Sequence, residues 1–195
     1  MVNWLQKIIK ASEKIKTAFH ERATKEDIAK SDWTSCCKGP ILKKDLENNL
    51  FVCASCNKHH YISPTQRFDI MFGKNNWQKI ESPQPPPDPY NWQDTKKYTD
   101  RLKDAKKITG QDNAISSCET KINDIEVVVS AVNFKFIGGS ISMAEGENVL
   151  ASIQVAINKK CPYIFISASG GMRMMTNMLS LMQMTRMTVG INELR

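Results

Sequence analysis

The stretch from Tyr163 to Met174, Tyr-Ile-Phe-Ile-Ser-Ala-Ser-Gly-Gly-Met-Arg-Met, carries the residue types and spacing best suited to chemistry. A short apolar run leads into small residues and the pair Gly170-Gly171, and a Met/Leu-rich segment with helical spacing follows. That order predicts a strand, a tight turn and a helix. Such a turn sets two amides, unobstructed by side chains, at the positive end of a helix dipole. Donors held this way bind the oxygen of a thioester or enolate as negative charge builds on it. The same residues equally describe an ordinary strand-to-helix turn whose glycines serve close packing.

A second group is metal-like. Of six cysteines, Cys36, Cys37, Cys53 and Cys56 cluster, while Cys118 and Cys161 stand alone in apolar surroundings and read as small core residues. Ribbon-type zinc sites use two Cys-x-x-Cys knuckles, whose spacing lets both sulfurs reach one tetrahedral ion. Cys53-Ala-Ser-Cys56 obeys that rule, and the adjacent Cys36-Cys37 does not. Three outcomes stay open: Cys37 ligates with His59 or His60 as a substitute partner, both cysteines adapt at reduced affinity, or no metal binds. Either histidine is otherwise an ordinary surface residue.

The elements around these residues fall into sections. Residues 1–30 form a basic segment with Leu5, Ile8, Ile9, Ile15 and Phe19 at helical spacing, a surface helix. Residues 31–62 hold the cysteines and short strand-like runs such as Leu50-Phe51-Val52. Residues 63–93 give a short helix, Pro64 to Phe72 capped by Ser63, then a linker stiffened by five prolines between Glu81 and Pro89. In residues 94–195, Asp94 caps a helix through Tyr98 and Leu102 to Ile108, stopped at Gly110. Strands over Ala114 to Cys118 and Glu126 to Val132 join at Asn123-Asp124. A Gly138-Gly139-Ser140 loop follows, then a helix from about Glu145 that ends before Pro162. Two strands then a helix is the repeating unit, an α/β architecture.

With 195 residues the chain can hold one ordinary domain and a small appendage. Its net charge of +7 fits an anionic partner but ranks such partners poorly. No apolar run is long enough to span a bilayer and no signal-peptide core begins the chain, which predicts a cytoplasmic protein. The few, scattered aromatics are unlike a base-stacking platform and argue against nucleic acid as the partner. A serine hydrolase using Ser167 or Ser169 lacks the Gly-x-Ser-x-Gly elbow, and His20, His59 and His60 all lie far upstream in the sequence.

Taken in order, these motifs resemble the β subunit family of bacterial acetyl-CoA carboxylase carboxyltransferases. The resemblance runs from the Trp4-containing segment through Asp45-Leu46-Glu47-Asn48-Asn49-Leu50 and Val52-Cys53. It continues through Asp94 to Tyr98, Asp100-Arg101-Leu102, Phe136 to Ser140 and Ser167 to Met174, and closes on Ser180 to Met184. It implies a crotonase-like ββα superhelix, here incomplete, with a small N-terminal zinc ribbon. It also implies an α subunit partner in a hetero-oligomer, together with biotin carboxylase and a biotin carboxyl carrier protein. The implied reaction moves a carboxyl group from carboxybiotin to acetyl-CoA, giving malonyl-CoA. By position, Gly170 and Gly171 are then donors near the thioester, Gly138 and Gly139 shape the same pocket, and Arg173 meets a CoA phosphate or braces the turn. Cys36, Cys37, Cys53 and Cys56 are the implied zinc ligands.

Three departures from the family pattern stand out. The first knuckle has lost its spacer, Met172 replaces the usual alanine beside the donors, and the chain stops at Arg195. Family members continue for roughly another hundred residues, including a second glycine-pair turn. The expectation is therefore a shortened subunit that lacks part of the family's site, its activity alone left open, with the apolar helix from Met174 to Met187 uncovered and solubility poor without a partner. The competing expectation is a non-catalytic zinc-ribbon binding module or a degenerate fragment.

Overall fold

The computed structural model describes residues 32–36 and 39–195. The expected helix over residues 1–30, and Cys37, lie outside the described residues. The chain divides into two compact units, Met1–Tyr61 and Ile62–Arg195.

In the first unit, β1 (Trp33–Cys36) and β2 (Gly39–Leu42) form an antiparallel pair that sets Cys36 opposite Gly39. A short helix, α1 (Lys43–Asn48), follows with Leu46 buried. Leu50-Phe51-Val52 is not the strand expected of it. Leu50 and Phe51 adopt left-handed φ of 53° and 62°, and their amides donate back to Glu47 O (3.1 Å) and Leu46 O (2.7 Å). The carbonyls at the end of α1 thus take those amides, as helix C-termini commonly require. Only Val52 bridges in β fashion, to His59.

The second unit is built on a four-stranded sheet. Its elements are α2 (Pro64–Phe72), β3 (Trp77–Lys79), α3 (Tyr98–Thr109), β4 (Ile115–Ile122), β5 (Ile125–Val132), α4 (Met143–Lys159), β6 (Tyr163–Ile166) and α5 (Asn177–Leu194). The strand order is β3-β4-β5-β6. The first three strands run antiparallel, and β6 returns parallel to β5 after the α4 crossover. Asn123 and Asp124, at φ 48° and 65°, make the tight β4–β5 turn, the conformation that two-residue hairpins favour.

The valine run in β5 reflects burial on both faces. Val127, Val129 and Ala131 pack with Phe68 of α2 and with Cys118. On the opposite face, Val132 joins Ile115 and the α4 residues Val149 and Ile153, and Val128 meets Ala156. Since α2 and β3 contribute to this sheet and its core, residues 63–80 belong to the second unit. The irregular, proline-rich chain begins only after Ile80. At α2 the expected cap is present as a reciprocal box, with Gln66 N donating to Ser63 Oγ at 3.2 Å and Ser63 N to Gln66 Oε1 at 2.9 Å.

Asp94 does not cap α3. The N-cap is Lys97, because Tyr98 N is drawn back to Trp92 O at 3.0 Å. The Asp94 carboxylate instead accepts from Lys96 N (2.9 Å) and Arg101 Nη2 (2.6 Å). Gly110 closes the helix in the left-handed region, as expected. Cys118 and Cys161 are buried core thiols, and burial, aided by Glu119, pushes Cys118 up to about 12. No described helix is long and apolar enough to cross a membrane.

Candidate functional site

The two glycine turns meet backbone to backbone. The first is a 3-10 turn, Ile137–Gly139, with Gly138 and Gly139 both at φ +63°. A Cβ on Gly139 would lie 2.3 Å from Ala168 O, and one on Gly170 would lie 3.2 Å from Gly138 O. A side chain at Gly139 would force the turns apart, and one at Gly170 would press on the opposing carbonyl. Three main-chain bonds zip them together: Gly170 N to Gly138 O (2.9 Å), Ile141 N to Gly171 O (2.9 Å) and Arg173 N to Ile141 O (2.8 Å).

This arrangement corrects the expectation in two respects. The Gly170 amide is spent on Gly138 O and is not free for a substrate. The glycine pair also does not open a helix: a second 3-10 turn, Met174–Thr176, intervenes before α5 starts at Asn177. No helix dipole stands directly behind the pair. Gly171 differs from Gly170. Its residue is exposed, nothing lies within 4 Å of a Cβ built there, and its N–H donates to Ser169 Oγ at 3.0 Å. The acceptor is an exposed side-chain hydroxyl that can swing aside by rotation about χ1.

Of the two roles expected of Arg173, CoA-phosphate ligand or brace of the turn, its surroundings are those of a brace. It is 3% exposed, and all three guanidinium nitrogens are committed within the protein. Nε donates to Ser140 Oγ (3.1 Å), Nη1 to Tyr98 OH (3.0 Å), and Nη2 to both Ser140 O (2.5 Å) and Glu145 Oε1 (2.7 Å). The guanidinium carbon also lies 5.6 Å from the Phe136 ring centroid. Glu145 is fully buried and accepts in addition from Ala114 N and Ser142 N, both at 2.9 Å. Burial opposes the Arg173 charge, yet Glu145 and Tyr98 outweigh it and raise its pKa. Burial in turn raises the Tyr98 phenol above its ordinary value, against the pull of Arg173.

Tyr98 of α3, Ser140 after the first glycine turn and Glu145 of α4 therefore converge on the residue after the second turn. Sequence reasoning placed Tyr98 and Glu145 only as helix residues. The Ser142-x-x-Glu145 spacing was a visible cap signal, but nothing local announced that Glu145 would also neutralise a distant arginine. Beyond Gly171, an open groove of about 410 Å³ is lined by Met172, Arg173, Met174, Asn177, Met178 and Leu181. The exposed methionines there, Met174 at 75% and Met178 at 62%, keep the apolar face of α5 open to solvent. The unit that carries Ser169, residues 62–195, contains no histidine in its sequence.

In the first unit, the Sγ atoms of Cys36, Cys53 and Cys56 all lie within 4.8 Å of one another, and Cys36 and Cys56 approach to 3.4 Å. Tetrahedral zinc with Zn–S near 2.3 Å separates its sulfurs by about 3.8 Å, so the three thiols fit one face of that ion. The 53–56 knuckle is closed by Asn57 N to Cys53 O (2.8 Å) and Cys53 N to Lys58 O (2.9 Å). Neither His59 nor His60 joins the group, although His60 Nε2 is buried without a hydrogen-bond partner. Replacing Cys53 by serine is expected to strip the purified chain of zinc, read by elemental analysis. Zinc well below one equivalent in the unmutated chain would contradict a metal site.

No family model matches the sequence. Among curated proteins, the chain is 56% identical over 194 residues to the acetyl-coenzyme A carboxylase carboxyl transferase subunit beta of Pelagibacter ubique (strain HTCC1062), covering 100% of this chain and 63% of that one. The protein of the same name from Beijerinckia indica is 37% identical over 196 residues, covering 100% and 65%. The chain thus spans less than two thirds of the length of these relatives. Among solved structures, a Pseudomonas malonate decarboxylase hetero-dimer aligns with a TM-score of 0.48 at 14% identity, covering 68% of this chain and 47% of that one. The β subunit of P. aeruginosa geranyl-CoA carboxylase aligns with a TM-score of 0.36 at 23% identity, covering 43% and 16%.

Proposed function

Over the residues it contains, this chain belongs to the acetyl-coenzyme A carboxylase carboxyl transferase subunit beta family, and from that premise we propose that it supplies the acyl-CoA side of a carboxyltransferase site. The substrates are acetyl-CoA and carboxybiotin, and the product is malonyl-CoA. The partners are a carboxyltransferase α subunit, biotin carboxylase and a biotin carboxyl carrier protein, assembled in the cytoplasm. The sheet unit is the opening part of a crotonase-like ββα superhelix, and the first unit is a zinc ribbon held by Cys36, Cys53 and Cys56 with Cys37 as fourth ligand. Zinc there has a structural role, tying the end of β1 to the 53–56 knuckle.

Carboxybiotin brings the carboxyl group, and the ureido anion it leaves is basic enough to take the methyl proton of the thioester. The chain's own contribution is to hold the acyl oxygen while negative charge develops on it. Gly171 N–H is the donor for that oxygen, Gly170 ties the two turns, and Gly138 with Gly139 forms the opposite lip. The supporting observation is Gly171 itself: an exposed residue with open space where a Cβ would sit, whose N–H donates only to the hydroxyl of exposed Ser169 among the described residues.

Because Ser169 competes for that amide, Ser169→Ala is expected to tighten acetyl-CoA binding by about two- to tenfold, the worth of one hydrogen bond. Calorimetric titration of both chains with acetyl-CoA and with free CoA reads this. Unchanged or weaker binding of acetyl-CoA by the variant would count against Gly171 as donor.

A further inference from the structure

Resting on that reading, we infer that Tyr98 and Glu145 are positioning residues that act through Arg173 to fix the spacing and register of the two glycine turns. Neither touches the turns' open face. Each grips the guanidinium from a different element, Tyr98 from α3 and Glu145 from the first turn of α4. Arg173 in turn grips Ser140, directly after Gly138-Gly139, through both its hydroxyl and its carbonyl. The chain leaving one turn is thereby locked to the chain leaving the other.

The main-chain hydrogen bonds between the turns cannot set this register alone. They are few, and Gly138, Gly139 and Gly171, all at positive φ, have little intrinsic stiffness. A planar guanidinium with several fixed acceptors does have it. A further tether runs from Ser142 Oγ to Thr176 Oγ1 at 3.0 Å, and Ser180 Oγ donates to Arg173 O at 2.7 Å. The start of α4 and the start of α5 are therefore joined to the same point.

The positioning role separates from a merely stabilising one in the double variant Glu145→Leu/Arg173→Met. Removing both charges together leaves no unpaired ion, but the amides of Ala114 and Ser142 lose their acceptor, so exchange at the turns is read against the β4–β5 hairpin of the same variant. Hydrogen exchange on the full 195-residue chain is expected to quicken at residues 168–173 by about tenfold or more beyond any change in the β4–β5 hairpin. Should the double variant fail to fold, Tyr98→Phe keeps the ring and removes one hydrogen bond. It is expected to quicken exchange at the same residues by about two- to tenfold.

Exchange at 168–173 that quickens no more than that of the β4–β5 hairpin, in whichever variant folds, overturns the proposal. Acetyl-CoA titration of the same samples keeps the two readings apart. Faster exchange with weaker binding supports both. Faster exchange in a family of chains that never binds acetyl-CoA, the unmutated one included, rejects the acyl-CoA role and leaves the register role supported.

Discussion

Arg173→Met is expected to lower the unfolding free energy of the chain by about 3–5 kcal/mol, the usual cost of breaking a buried ion pair from one side. The reason lies in what stays behind. Glu145 has no exposed surface, and its carboxylate would keep the amides of Ala114 and Ser142 but lose the countercharge that Arg173 supplies. Ser140 O and Tyr98 OH would lose their donor in the same interior. The exposed ion pairs of the molecule, such as Lys79–Glu81 and Lys106–Asp112, differ in kind. Water solvates either partner, and their loss is expected to cost under about 1 kcal/mol. Urea unfolding followed by circular dichroism compares the two classes. A loss below about 1 kcal/mol for Arg173→Met would mean that the interior around Glu145 is wetter than the structure shows.

Gly139→Ala is expected to cost about 2–5 kcal/mol, summing a left-handed residue with a Cβ and the overpacking of a closed seam. The new methyl would meet Ala168 O at 2.3 Å and Val132 Cγ1 at 3.0 Å. The first is a main-chain atom in the opposing turn and cannot rotate away. The turns must part, and the Gly170 N to Gly138 O bond goes with them. Gly171→Ala is the control for space: its φ of 108° is the more demanding backbone conformation, but nothing lies within 4 Å of the added carbon. Its cost should be confined to backbone strain. Thermal unfolding of both variants decides the matter: equal losses at 139 and 171 would show that the turns are not closely packed.

Much of this architecture was readable from residues with local meaning. Ser63 and Pro64 start α2, Gly110 stops α3, and Asn123-Asp124 turns the hairpin, because each effect is exerted within a few residues of its cause. The valine run at 127–129 announced a strand through the same local character. Asp94 failed as a cap since its carboxylate had a better partner in Arg101, seven positions on. Leu50 and Phe51, read as strand from their apolar character, were claimed by the carbonyls of α1.

At the site, the glycine pairs were legible as turns, but which amides remained free was not. That depends on how residues 137–141 meet residues 168–173, a contact between segments separated by a helix and a strand. The role of Arg173 was hidden likewise, since its partners Tyr98, Ser140 and Glu145 come from three separate places in the chain. Buried charge pairs leave no periodic trace in a sequence. They are found only when the fold closes on them.

The most direct measurement follows the Gly171 amide by nitrogen-edited NMR while acetyl-CoA is added to the 195-residue chain. The Gly171 resonance is expected to move downfield on titration, as an acyl oxygen replaces the serine hydroxyl, and to move little with CoA lacking the acyl group. Acetyl-CoA that leaves the Gly171 resonance in place while shifting amides elsewhere, or that binds nowhere, would contradict the account.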